Sequence, residues 1–203
     1  MKGRIADFTL FEGGFEFLGR RYPDSDIRHI FLNRSHTAVK VNLVHSSDID
    51  AARMTVTLMS GDQIVVQEKE NSNLFTEIIA HASGDDGLRV YHVCEAAQKL
   101  LKRTFEQRLG LYVAELKTKG YFTLDECLFY PHSKVIFRGR DFPVKETAFL
   151  RGAGWIEMRP SHFTLLDRLK RENPFTKIPQ FSTRTDPDVV FALLQACFGL
   201  KWD

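Results

Sequence analysis

Basic side chains occur in two short segments of similar sequence, and they are the residues of this chain best suited to bind an anionic group. Each segment has arginines beside a glycine, followed by an aromatic residue and a proline. Guanidinium groups bind phosphates and carboxylates through paired hydrogen bonds, and a neighbouring ammonium adds a point charge. The candidate ligand-binding residues are therefore Arg20 and Arg21 in the first segment, and Lys134, Arg138 and Arg140 in the second.

Two features of the second segment bear on this interpretation. Arg138 and Arg140 alternate along a predicted strand, so they would project from one face near the end of a hairpin. Asp141 lies beside them, and its carboxylate would oppose an anionic ligand. Basic residues on an exposed strand edge also prevent aggregation. A solvated strand edge is therefore the alternative interpretation of both basic clusters.

The sequence lacks the motifs of several common enzyme chemistries. None of its seven histidines has the His-Glu-x-x-His spacing of a zinc site, and its three cysteines form no Cys-x-x-Cys pair. It also has no phosphate-binding Gly-x-x-x-x-Gly-Lys loop and no Gly-x-Ser-x-Gly nucleophile turn. We therefore expect no metal and no cofactor, and a non-enzymatic role is favoured over catalysis. The alternative is a small-ligand-binding protein, or an enzyme whose site is assembled from residues far apart in sequence.

A pair of acids near the C-terminus has a structural explanation. Thr185-Asp186-Pro187-Asp188 predicts the start of a helix, because proline is tolerated in the first turn and carboxylates stabilise the positive end of the helix dipole. Apolar residues then recur at helical spacing, and Gly199 predicts the end of the helix. We expect Asp186 and Asp188 to cap this helix rather than to bind a metal.

The two basic segments belong to a repeat with a constant offset of 120 residues. Positions 17, 19, 20, 22 and 23 match positions 137, 139, 140, 142 and 143 in residue class. Each copy predicts a strand, a glycine turn and a second strand that ends at proline. The repeat favours duplication of a small β-rich unit. A single α+β domain with a helical insertion explains the same pattern nearly as well.

The remaining sequence predicts sheets separated by a long helix. Period-2 patterning before residue 70 predicts short antiparallel strands, including a hairpin at Ser60-Gly61-Asp62. Apolar residues spaced by three and four predict one amphipathic helix over 88–119, ended by Gly120 and weakened at Gly110. The expected class is α+β, with short-stranded antiparallel sheets, a long connecting helix and a C-terminal capping helix. The predicted division is a β-rich unit at 1–84, the helix at 85–120, and a second β-rich unit at 121–203.

The hairpin segments resemble those of bacterial pleckstrin-homology-like domains. The shared pattern is apolar, x, apolar, x, Gly, x, x, aromatic, Pro; it runs from Phe15 to Pro23 with Ile27 following, and from Val135 to Pro143. The resemblance implies an antiparallel sheet closed by a C-terminal helix. It also implies binding of an anionic lipid headgroup or a protein partner, with the basic hairpin residues as contacts, or a purely scaffolding role.

Composition limits the remaining function classes. The formal net charge of +2 disfavours nucleic-acid binding, which would use a face such as Arg20, Arg21 and Tyr22. No apolar run reaches the roughly 18 residues that span a bilayer, and the odd number of cysteines is typical of free thiols. We expect a cytoplasmic protein. The long apolar stripe of the helix predicts a homodimer seam or a groove for a partner protein, and an anionic membrane surface is the other expected partner.

Overall fold

A computed structural model describes residues 1–41, 44–73, 92–162 and 179–200, with the backbone alone for 36–41, 44–50 and 70–73. The described chain forms two compact units, residues 1–105 and 106–203. A charged helix expected at 163–172 and a segment at 74–82 that fits either helix or strand lie outside the described residues.

The described residues of the first unit form two sheets and one helix. Strands β2, β3 and β4 form an antiparallel sheet in that order, and the second sheet has the order β1-β7-β6-β5, with β1 parallel to β7. The elements are β1 (Lys2–Arg4), β2 (Phe8–Phe11), β3 (Gly14–Phe17), β4 (Arg20–Pro23), β5 (Ile27–Val41), β6 (Val44–Leu58), β7 (Gln63–Asn73) and helix α1 (His92–Arg103).

Helix α1 and strands of both sheets share one core. Its buried side chains include Val93, Ala97 and Leu100, which belong to the same apolar cluster as Phe15 and Phe17 of β3. This burial removes apolar surface from water at roughly 25 cal/mol per Å², which is the main force holding the helix to the sheets. In the described part of the first unit, one helix thus packs against both sheets.

The second unit begins with a helix, continues with two antiparallel sheets, and ends with a helix. Its sheets have the orders β11-β10-β9-β8 and β12-β13-β14. Phe129 stacks on Phe122 with ring centroids 4.9 Å apart and meets Phe181 edge-on, which joins both sheets in one core. The elements are α2 (Phe105–Lys119), β8 (Phe122–Leu124), β9 (Cys127–Tyr130), β10 (Lys134–Phe137), β11 (Arg140–Pro143), β12 (Thr147–Gly152), β13 (Trp155–Pro160), β14 (Gln180–Ser182) and α3 (Pro187–Phe198).

The two basic segments both form hairpins with a two-residue turn, as predicted. Phe17 pairs with Arg20 across the first turn, and Phe137 pairs with Arg140 across the second. Both central residues of each turn have positive φ, which is the geometry that matches the twist of two-residue hairpins. In both units a three-residue 3₁₀ helix follows the proline, and the next strand begins directly after it. The bounds of the two hairpin strands and of the 3₁₀ helix, and the start of the next strand, are offset by 120 residues between the two units.

The predicted α+β class is confirmed, but two finer predictions are wrong. The strands are not all short, since β5 and β6 have 15 residues each, and the single long helix does not form. The chain forms α1 and α2, which are separated at Thr104, and the boundary between the two units follows Phe105. Thr104 is buried and donates its hydroxyl to the carbonyl of Leu100 at 2.7 Å, a local bond that is known to disturb helices. Gly110 lies within α2 without breaking it. The segment predicted as a separate linking helix at 85–120 is therefore divided, with α1 in the first unit and all of α2 after Phe105 in the second.

Several local predictions are confirmed. A tight turn at Ser60-Gly61-Asp62 joins β6 and β7. Gly120 and Gly199 follow α2 and α3 with φ of 77° and 65°, in the left-handed region that glycine adopts at helix ends. Pro187 is the first residue of α3.

Candidate functional site

The first hairpin positions its two arginines on opposite faces of β4. Arg20 and Tyr22 are two residues apart on the strand and so share a face, and the Arg20 guanidinium lies over the Tyr22 ring, 5.2 Å from its centroid. Arg21 is opposite Glu16 in the sheet register and donates to its carboxylate at 3.2 Å. Tyr22 itself is buried, so its ring provides a fixed support for Arg20.

The second hairpin repeats one of these arrangements. The Arg140 guanidinium lies over the Phe142 ring, again 5.2 Å from the centroid. Phe142 is buried, as Tyr22 is in the first unit. Arg20 and Arg140 therefore occupy the same place in their hairpins, directly after the turn glycine, and each is stacked on the aromatic residue two positions later.

The other two basic residues of the second hairpin are bound to acids. Lys134 donates to Asp141 at 2.6 Å, and Arg138 donates to both oxygens of Glu126 at 2.5 and 2.9 Å. This bidentate bond raises the pKa of the Arg138 guanidinium. Arg138 lies in the turn, with a φ of 50°, and not on the strand as the sequence analysis assumed. Arg138 and Arg140 therefore do not alternate along one strand, and the prediction that they project from the same face is wrong.

The five candidate residues thus fall into two groups. Arg21, Lys134 and Arg138 each form an ion pair with a carboxylate. Arg20 and Arg140 are exposed, and neither forms an ion pair with any residue that the structure describes. The turn of the first hairpin also presents Leu18, whose side chain is one of the few large apolar groups exposed in the described chain, at 54%.

A second polar cluster is buried in the second unit. Arg108 of α2 is fully buried and donates to Asp186 at 2.9 Å and to both oxygens of Asp188 at 3.0 and 2.7 Å. The Tyr112 hydroxyl, one helical turn further along α2, donates to the second oxygen of Asp186 at 3.2 Å. These contacts connect the middle of α2 to the first turn of α3.

Electrostatics explain why these groups tolerate burial. Desolvation opposes the charge of Arg108, but its hydrogen bond with Asp188 and the two carboxylates outweigh that penalty, so its pKa is raised. Burial, with the charge of Asp186 adding to it, raises the pKa of the Tyr112 hydroxyl well above its usual range, so Tyr112 remains a donor. These groups are already bonded to one another, so we interpret them as a structural connection between α2 and the start of α3. We call this group the clamp; it consists of Arg108, Tyr112, Asp186 and Asp188.

The contacts of the clamp show that two interpretations of the sequence are wrong, one for Asp186 and one for Arg108. Asp186 precedes α3 but makes no side-chain bond to the helix backbone, because its carboxylate is taken by Arg108 and Tyr112. Charged residues of an amphipathic helix normally lie on its exposed face, so the predicted helix over 88–119 would place Arg103 and Arg108 in solvent. Arg108 is buried instead, and Arg103 in the first unit donates to Asp24 at 2.8 Å and to the carbonyls of Phe11 and Gly14. The only sequence signal for the clamp was an arginine within an apolar stripe.

Thiols and histidines form no visible reactive centre in the described residues. Cys127 and Cys197 are buried, Cys94 is half-buried, and all three are free. Burial raises the pKa of the Cys127 thiol to about 12, which keeps it protonated and unreactive at neutral pH. Among the residues described here, no group of three or more His, Cys, Asp or Glu side chains is arranged to hold a metal ion.

No described helix is long and apolar enough to cross a membrane. No protein-family model matches the sequence, and searches of curated proteins and of solved structures found no significant match.

Proposed function

We propose that this protein is a non-enzymatic binding or scaffolding module that recognises an anionic lipid headgroup through the stacked arginines Arg20 and Arg140. The observation that carries the proposal is the recurrence of one arrangement in both units. In each, an exposed arginine follows the turn glycine and lies 5.2 Å from the centroid of a buried aromatic ring. No carboxylate among the described residues pairs with either guanidinium.

A stacked arginine is well suited to bind an anion. The ring holds the planar guanidinium in one orientation, so less side-chain freedom is lost when a ligand binds. The edges of the plane keep their N–H donors available for two oxygens of a phosphate or carboxylate. The paired residues Lys134 and Arg138 would first have to leave Asp141 and Glu126. We therefore place the principal contacts at Arg20 and Arg140, with Arg21, which is exposed but would first have to leave Glu16, as an auxiliary contact.

The internal architecture supports a duplicated pleckstrin-homology-like fold. Each unit has an antiparallel sheet, a 3₁₀ helix, a second sheet and a helix that follows it in sequence; the second sheet is antiparallel in the second unit, and in the first unit it is antiparallel except for the parallel strand β1. From β3 to the start of β5 the element bounds match those of the second unit at the offset of 120 residues. This agreement favours duplication over a single domain with an inserted helix. We also propose a reducing, cytoplasmic location, which the three free thiols favour.

The alternatives have less support from the described residues. Among the described residues, the Arg108 clamp is a cluster of polar groups from distant parts of the sequence, but Arg108, Tyr112 and Asp186 are buried and already bonded to one another. A protein partner or a homodimer seam on the helices stays a prediction. Apolar residues of α2 such as Leu109 and Val113 are half-buried within the chain, which leaves less of the predicted stripe for a partner.

Substitution of the stacked arginines tests the proposal. We expect Arg20→Ala and Arg140→Ala each to weaken binding to phosphatidylcholine vesicles containing phosphatidylserine by about five- to tenfold, since each removes a charge-assisted contact. Arg138→Ala is the matched control, because its guanidinium is occupied by Glu126; its effect should stay within about twofold. The measurement is co-sedimentation with vesicles at several salt concentrations.

Two results would contradict this assignment. Equal losses for Arg138→Ala and the stacked arginines would indicate general charge attraction instead of a site. Unchanged binding in both stacked-arginine variants, or no binding of the unmodified protein to anionic vesicles, would remove the proposed function and direct the search toward a protein partner.

A further inference from the structure

The turn of the first hairpin contains a residue that is poorly suited to it. Leu18 is the first central residue of the turn, with a φ of 51°. Two-residue hairpin turns of this kind favour asparagine, aspartate or glycine, because other side chains crowd the backbone in the left-handed region. Strained residues of this kind occur preferentially at functional sites, so the position invites a functional explanation.

Packing against the rest of the chain does not explain why a leucine occupies this turn position. Its side chain is 54% exposed, so most of its apolar surface remains in water. Arg20 and Arg21, both exposed, follow it after a single glycine. At the tip of the first hairpin, an exposed apolar side chain is therefore followed closely in sequence by Arg20 on one face of β4 and by Arg21, which is paired with Glu16, on the other.

This combination identifies the chemistry of the partner. A soluble phosphate compound would satisfy the arginines but would offer nothing apolar to Leu18. The surface of an anionic bilayer offers both, because its headgroups carry phosphate and carboxylate groups above a hydrocarbon layer. We infer that Leu18 inserts into the interface of an anionic membrane while Arg20 and Arg21 bind its headgroups. This inference rests on the proposed anion recognition by Arg20 and names its source as a lipid surface.

The second hairpin lacks this combination of an exposed apolar side chain and two arginines. Its turn has Arg138 where the first has Leu18, and that side chain is bonded to Glu126. The second hairpin has no exposed apolar residue in its turn, and the residue after its stacked arginine is Asp141 where the first hairpin has Arg21. Only the first hairpin is therefore expected to insert into a membrane.

The substitution Leu18→Asn separates insertion from folding. Asparagine adopts positive φ more readily than leucine, so the variant should unfold at the same or a higher temperature. We expect its binding to vesicles containing phosphatidylserine to fall about tenfold, because the inserted apolar group is lost. Binding of soluble inositol hexakisphosphate, which has no hydrocarbon layer, should be unchanged. Arg138→Asn makes the same change in the second turn and should alter vesicle binding by less than about twofold.

The outcomes distinguish the two proposals. If Leu18→Asn binds vesicles as the unmodified protein does while Arg20→Ala weakens binding, insertion is excluded and anion recognition stands. If Leu18→Asn weakens binding of vesicles and of inositol hexakisphosphate equally, Leu18 positions the arginines and does not insert. If Arg20→Ala changes the binding of neither probe, the proposed function fails and the inference fails with it.

Discussion

Replacing Arg108 with methionine is expected to lower the free energy of unfolding of the second unit by about 3–5 kcal/mol. The substitution would leave Asp186 buried with a negative charge and with only the Tyr112 hydroxyl among the clamp donors. A buried charge without its counter-ion is among the largest single destabilising effects known in proteins. Methionine has about the length of the arginine stem, so lost packing should contribute little.

Tryptophan fluorescence during urea unfolding measures this effect in the correct unit. Both tryptophans, Trp155 and Trp202, belong to residues 106–203, so their emission reports on the second unit. Arg138→Met is the matched control in the same unit. Its ion pair with Glu126 is exposed on both sides, at 51% and 45%, and exposed pairs contribute little to stability because water and salt screen them.

A second substitution distinguishes an uncompensated charge from disrupted packing. Asp186→Asn in the Arg108→Met background removes the buried negative charge, so we expect it to restore more than about half of the lost stability. If the double variant is no more stable than Arg108→Met alone, the cluster contributes through shape rather than charge. Equal losses for Arg108→Met and Arg138→Met would show that burial of the clamp does not matter.

The parts of the fold that the sequence predicted are those with local signals. The hairpins follow from apolar alternation interrupted by Gly19 and Gly139, and the last helix follows from Pro187 and Gly199. Each of these signals lies within a few residues of the element it defines. A turn glycine or a helix-starting proline acts on its own backbone, so its effect does not depend on the rest of the chain.

The clamp and the helix break depend on contacts that no local pattern encodes. Arg108 and Asp186 are 78 positions apart, and their contact exists only because the fold brings α2 to the start of α3. Without that contact, Arg108 fits an exposed flank and Asp186 fits a helix cap. The break at Thr104 has the same character, since the apolar spacing continues through it and the two helices belong to different compact units.

The candidate site was predicted in its residue types but not in its pairings. Sequence reasoning grouped five basic residues, and it recognised Asp141 as an opposing charge. Glu126 was not identified as the partner of Arg138, because the two residues meet only when strands β9 and β10 pair side by side. Sequence reasoning also gave no role to Leu18, because exposure and positive φ are properties of the folded chain.

Alkaline pH is expected to destabilise the second unit, starting at about pH 9. Burial, with added repulsion from Asp125 and Glu126, raises the pKa of the Cys127 thiol to about 12, whereas the unfolded chain should lose this proton near its ordinary value. Between these values the unfolded state binds fewer protons, so the free energy of unfolding falls as pH rises, by about 1.4 kcal/mol per pH unit. Below pH 9 both states are protonated, and Cys127 contributes no pH dependence. Cys197, whose pKa is also raised by burial, adds to the same trend.

Urea unfolding followed by tryptophan fluorescence from pH 8 to 10.5, in the presence of a reducing agent, measures this slope. Cys127→Ala should reduce the loss of stability over that range by about 2 kcal/mol, although it starts from a lower stability at pH 8 because a buried side chain has been shortened. Cys94→Ala is the control, because Cys94 lies in the first unit, which contains no tryptophan. A slope in Cys127→Ala as steep as that of the unmodified protein would mean that the thiol ionises near its ordinary pKa. In that case water reaches the interior around Phe122 and Phe129, and this aromatic core is looser than its packing indicates.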